Sequence, residues 1–191
     1  MRILLDPGHG GKDPGAVVGN IKEADLNWSI CEHILGAVPY TEQVIFTRSF
    51  AVPGKVTLKD RVSTIKLVNP DCFISIHCNS APSPQAKGYE IWAYKLPNLL
   101  ASKIFTSLKN QSYLPPREIK QDNFYVLKCS KVPACLIEVG FMSNQYDLSY
   151  LRNPTVQTRI GSLIWEGIKE WWESGQDNYY FRSPCINSLI L

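Results

Sequence analysis

The strongest constraint on this chain is an alternation. Short apolar runs trade places with stretches whose apolar residues recur every three or four positions. The runs are Arg2 to Leu5, Val44 to Thr47, Cys72 to Ile76, Tyr89 to Ala93, Phe124 to Leu127 and Ala134 to Ile137. Several are apolar on both faces, as strands of a covered sheet are. Between them, Ile21, Ala24, Trp28, Cys31, Leu35 and Val38 form one apolar stripe on a helix from about Lys22 to Val38. Thr57 and Asp60 read as a capping pair for a helix carrying Leu58, Val62, Ile65 and Val68. Leu99 to Leu108 is a third helix, and Asn153-Pro154 opens a long fourth. Strand alternating with helix predicts a single three-layer α/β domain over residues 1–174. Its twisted, mostly parallel sheet has about six strands, with helices on both faces. Residues 175–191 are expected as a C-terminal tail too short for a second domain.

Composition narrows the function. At 191 residues and 45% hydrophobic, the chain can bury one substantial core. Its formal net charge is only +3, with no long basic run, so nucleic acid is excluded as a partner. No apolar run approaches membrane-spanning length. The six cysteines (31, 72, 78, 129, 135 and 185) form no C-x-x-C, and a chain of this size needs no disulfide staples. They are expected as buried thiols in a reducing compartment. Met1-Arg2 leads straight into a strand, so no signal peptide is expected. The expectation is a monomer that is cytoplasmic as synthesised.

The chemistry is expected at the carboxyl ends of the strands, where α/β sheets place their ligands. His9 stands in DPGHGGKDPGA, four residues beyond the first run; His77 closes CFISIH, and Glu138 closes ACLIE. Glu23 follows the glycine-rich loop at the start of the first helix. Two imidazoles and a carboxylate are a common zinc set for hydrolysis, and a further carboxylate is then needed to move the proton of water. On spacing alone, Glu23 and Glu138 divide these two jobs without saying which does which, and a strand-end histidine can equally be a satisfied core residue. His33 is expected on a helix surface. Trp92, Tyr94 and Tyr125 are candidates for groove walls or for core.

Other catalytic readings fail. A phosphate loop G-x-x-x-x-G-K-[ST] would need glycine at position 6 and a hydroxyl at 13, where Asp6 and Asp13 stand. No G-x-S-x-G occurs, so Ser75 and Ser80 lack a nucleophile elbow. Cys78 neighbours His77 but points to the opposite face of a strand.

Taken together, DPGHGGKDPGA, the Glu23-Ala24-Asp25-Leu26-Asn27 helix start, Thr47-Arg48, Arg61, SIHCN at 75–79 and PACLIEVGFMSN at 133–144 resemble the zinc-dependent N-acetylmuramoyl-L-alanine amidases. The likeness runs in order from about Met1 to Trp172. It implies that His9, Glu23 and His77 bind Zn2+, that Glu138 is the catalytic carboxylate, and that Asn79 contacts substrate. The implied reaction is hydrolysis of the amide between N-acetylmuramic acid and the L-alanine of the peptidoglycan stem peptide, by a zinc-activated water with a glutamate general acid/base. Some members carry an inserted helix between the second histidine and the glutamate that blocks the zinc until an activator removes it. Here a strand, a helix, the Pro115-Pro116 loop and another strand already fill that interval. An open groove that needs no activator protein is therefore expected, as in an endolysin or autolysin acting on the cell wall after release. A trimmed catalytic domain, extracellular or periplasmic once its leader is lost, is the other reading. A zinc peptidase or deacetylase is the rival enzyme, and a wall-binding module without catalysis is the rival of another kind.

Overall fold

The computed structural model describes residues 1–50, 54 and 56–175. Eight strands and six helices follow in order: β1 (Arg2–Pro7), β2 (Val17–Val18), β3 (Ile21–Lys22), α1 (Glu23–Ala37), β4 (Gln43–Phe46), α2 (Leu58–Val68), β5 (Cys72–Asn79), β6 (Tyr89–Ala93), α3 (Leu99–Leu108), β7 (Pro116–Gln121), α4 (Tyr125–Lys128), β8 (Ala134–Phe141), α5 (Gln145–Leu151) and α6 (Pro154–Glu173). Six strands make the central sheet in the order β4-β1-β5-β8-β6-β7, and β2 and β3 form a separate small hairpin. Every pairing in the main sheet is parallel except β6 with β8.

The core lies on both faces. Ile3, Leu5, Ile74, Ile76 and Ile137 pack beneath α1, α3 and α6 through Ile30, Ile104, Ile160 and Trp171. On the opposite face Leu4, Phe73 and Leu136 meet Val62 and Ile65 of α2 and Val126 and Leu127 of α4. Burial on two sides is why these strands read as continuous apolar runs.

Local signals act as expected at several helix starts. Thr57 Oγ1 accepts from the Asp60 amide, and the Asp60 carboxylate accepts from the Thr57 amide, which closes a capping box. Asn153 caps α6 with Pro154 in its first turn.

Three expectations need correction. Phe124 to Leu127 is not a strand: Tyr125–Lys128 is one turn of helix, α4. The sixth strand is instead β7, at the sheet edge, whose polar exposed residues carry no apolar signal. Four of the six cysteines, Cys31, Cys72, Cys78 and Cys135, are free and buried as expected, but Cys129 is disulfide-bonded. Cys185 and the tail beyond Gly175 lie outside the described residues.

Candidate metal centre and cleft

The site forms where β1, β5 and β8 end side by side. Register pairs Asp6 with Ser75 and His77 with Glu138, so these strands deliver their polar residues to one rim. After Pro7 the chain turns through Gly8, His9, Gly10 and Gly11, with His9 itself in the left-handed region at φ 59°. A non-glycine residue there needs outside support. Two buried arginines supply it. Arg48 Nε donates to Pro7 O (2.9 Å), and Arg61 donates from Nη1 to Pro7 O (3.0 Å) and from Nη2 to His9 O (2.6 Å). Arg61 also pairs with the buried Asp6 carboxylate, whose other oxygen accepts from Ser75 Oγ at 2.7 Å. The loop is thereby strapped to the sheet by its own carbonyls.

Gly8 is required for a different reason. A β-carbon there would overlap the His77 ring, so only glycine lets that imidazole lie over the loop.

Glu23 joins the rings. As the first residue of α1 it sits at a positive helix end, and its Oε2 accepts from the Ala16 amide at 3.0 Å. Glu23 Oε2 is 3.2 Å from His9 Nε2, and Oε1 is 3.0 Å from His77 Nδ1. The two rings stand edge to face, 5.0 Å apart. Burial alone would raise the Glu23 carboxyl, but hydrogen bonds from His77 and His9 outweigh it and hold the group well below the usual carboxylate range. Burial would likewise lower His9, yet Glu23 and then Asp13, 3.2 Å from Nδ1, leave it raised. One ligand atom from each of His9, Glu23 and His77 lies within 4.8 Å of the other two. Four acidic or imidazole groups of the rim thus fall together, three of them in coordination range of a single ion.

Glu138 stands beside them. Its Oε2 is buried and has no hydrogen-bond partner, an expensive state for a carboxylate oxygen. Burial pushes its pKa up to about 7, with His77 pulling the other way. His9, His77 and Glu138 line a cleft of about 880 Å³ together with the start of α2 (Val56, Thr57, Leu58), α4 and its cap (Phe124, Tyr125, Val126), Ser75 and Leu136.

Asn79 takes a different place. Its side-chain amide donates to Glu90 Oε1 at 3.1 Å, and it does not line the cleft. Glu90 is a buried acid that sequence reasoning passed over, because it lies inside a strand and not at an end. Arg117 Nε (2.8 Å) and Lys120 Nζ (2.9 Å) of β7 both donate to its Oε2. His33 lies away from the site, with Nδ1 3.1 Å from Thr158 Oγ1 of α6. Tyr125 is 40% exposed on the cleft wall, whereas Trp92 packs against Phe124.

Fold and rim together define an α/β domain with two imidazoles and a carboxylate that could hold one metal ion at the carboxyl ends of its strands. The chain belongs to the N-acetylmuramoyl-L-alanine amidase family, whose model matches residues 3–170. It is 29% identical to the N-acetylmuramoyl-L-alanine amidase LytC of Bacillus subtilis over 181 residues, which is 89% of this chain but 35% of LytC. Among solved structures it resembles the N-acetylmuramoyl-L-alanine amidase AmiC2 of Nostoc punctiforme. There the TM-score is 0.83 at 30% identity, covering 91% of this chain and 97% of that one. It also resembles the CwlD amidase of Clostridioides difficile, solved in complex with the GerS lipoprotein. In that case the TM-score is 0.81 at 29% identity, covering 91% and 98%.

Proposed function

We propose that the chain hydrolyses the amide joining the lactyl group of N-acetylmuramic acid to the L-alanine of the stem peptide. In this reading His9, Glu23 and His77 hold a zinc ion and Glu138 moves the proton. The observation that carries it is the convergence of three ligand atoms beside a buried carboxylate oxygen that has no partner. Two neutral imidazoles and one carboxylate suit zinc and leave a position open. When bound, zinc acts as a Lewis acid toward water and the substrate carbonyl.

The chain's own residues do the rest. Glu138, whose carboxyl burial pushes up, takes a proton from the attacking water and hands it to the departing nitrogen. A C–O bond forms at the lactyl carbonyl carbon as the C–N bond breaks. The products are a lactyl carboxylate and a free L-alanine amine. Asp13 orients His9, and the Asp6–Arg61 pair keeps the loop in register.

The cleft reaches the rim between α2 and α4, and in this reading the enzyme needs no activator. The GerS complex of CwlD makes that a point to test. No helix among the described residues is long and apolar enough to cross a membrane. Purified protein with zinc, given peptidoglycan and no other protein, should release stem peptides with new amino termini on L-alanine and leave the glycan intact. Cleavage within the stem peptide would replace this reading with a peptidase. Glu138→Gln should keep the metal and lose about two to four powers of ten in rate.

A further inference from the structure

The rim continues past Glu138 along the sheet, and what lies there is a charged row on β6 and β7. Glu90 pairs in register directly with Glu138. Its two carboxylate oxygens are taken by Asn79 on one side and by Arg117 and Lys120 on the other. Lys120 is also 3.5 Å from Glu118 Oε1, so the two cations and two carboxylates of this row balance, and what is left over is a donor and not a charge. Arg117 is 36% exposed along its side chain. Its guanidinium lies over the Phe141 ring at 5.0 Å, at the end of β8, and is tied down through Nε to Glu90 and through Nη1 to Lys87 O at 3.2 Å. No intramolecular hydrogen bond is formed by Nη2 among the described residues. An arginine fixed by its inner donors, with an outer edge to spare, is prepared to bind a carboxylate or phosphate.

Spacing and polarity say which part of the substrate comes here. Adjacent strands lie about 4.8 Å apart, which puts β7 roughly 10 Å from β8. An extended peptide advances about 3.3 Å per residue, so its second and third residues past the reacting amide reach about 7–10 Å. Glu138 also lines the cleft walled by Val56, Leu58, Phe124 and Tyr125, a surface with an exposed aromatic ring that the row of β6 and β7 does not line. Uncharged N-acetyl sugars suit that side, since pyranose faces stack on aromatic rings. A stem peptide whose second residue is D-glutamate linked through its γ-carboxyl carries a free α-carboxylate there, which suits the spare Arg117 donor.

We infer that Arg117, supported by Lys120 on the Glu90 carboxylate, is a specificity residue. It binds a free carboxylate of the stem peptide and so orients the substrate with peptide over β6 and β7 and glycan in the α2/α4 cleft. This rests on the amidase reading above.

The test uses two muropeptides that differ only in the second stem residue, one with D-isoglutamate and its free α-carboxylate, the other with D-isoglutamine. Wild type should favour the free carboxylate by about tenfold in kcat/KM, mostly through KM. Arg117→Gln should bring that ratio close to one, and Arg117→Lys should restore part of it. The ratio is taken within a single preparation, so a variant that folds poorly changes both rates and leaves the ratio readable. A wild-type ratio near one overturns the inference, as does a full ratio retained in Arg117→Gln. Hydrolysis of neither muropeptide by zinc-loaded wild type would remove the amidase reading itself, which is a distinct failure.

Discussion

Replacing Glu138 by glutamine in the metal-free protein should change stability in a way that depends on pH, and its size can be worked out. Burial lifts the carboxyl from its ordinary 4.5 to about 7. The folded state therefore holds the proton more tightly than the unfolded chain does. Below about pH 4.5 both states are protonated and the group costs nothing. As pH rises toward 7 the unfolded chain ionises first, and above 7 the fold carries a buried anion with one oxygen unpartnered. At 1.36 kcal/mol for each tenfold change, the full penalty is about 3 kcal/mol. Glutamine cannot ionise, so its own cost is constant. Urea unfolding of both proteins in chelator should show Glu138→Gln gaining up to about 3 kcal/mol on wild type between pH 5 and pH 8. A difference between the two proteins that stays flat across this range would refute the claim that the fold disfavours the Glu138 anion.

Other perturbations separate the loop, its braces and the ligands. Gly8→Ala places a methyl group into the His77 ring and should weaken zinc binding severely, read by titration calorimetry, at a stability cost of about 1–3 kcal/mol. If it binds zinc as wild type does, the packing argument at Gly8 is wrong. Arg61→Met leaves the buried Asp6 unpaired and should cost about 3–5 kcal/mol in urea unfolding. A loss below about 1 kcal/mol would show that the pair is not a brace. His77→Ala should abolish stoichiometric zinc by elemental analysis while the far-UV circular dichroism stays that of wild type.

The site was more legible in the chain than its support. His9, His77 and Glu138 each follow an apolar run, and strand ends in such sheets share a rim, so their meeting followed from the pattern. Glu23 follows a glycine-rich loop at a helix start, a position that local signals mark. The braces are another matter. Arg48 and Arg61 reach carbonyls 41 and 52 residues away, and no local pattern encodes such a contact. Nor does it encode β6 lying antiparallel to β8 and parallel to β7. The two misread segments have physical causes. Phe124-Tyr125-Val126-Leu127 favours strand by composition, but tertiary packing under α2 holds it as a helical turn. Pro116–Gln121 sits at the sheet edge with most of its residues exposed, so it carries no run of apolar residues to read.

The account turns on a single ion shared by three side chains from β5, α1 and the loop after β1. Anomalous diffraction at the zinc edge from crystals of the zinc-loaded protein addresses it directly. The account predicts one strong peak about 2.0–2.2 Å from a ring nitrogen of His9, a ring nitrogen of His77 and an oxygen of Glu23. A peak elsewhere, or none while the same protein still cleaves peptidoglycan in chelator, would contradict it.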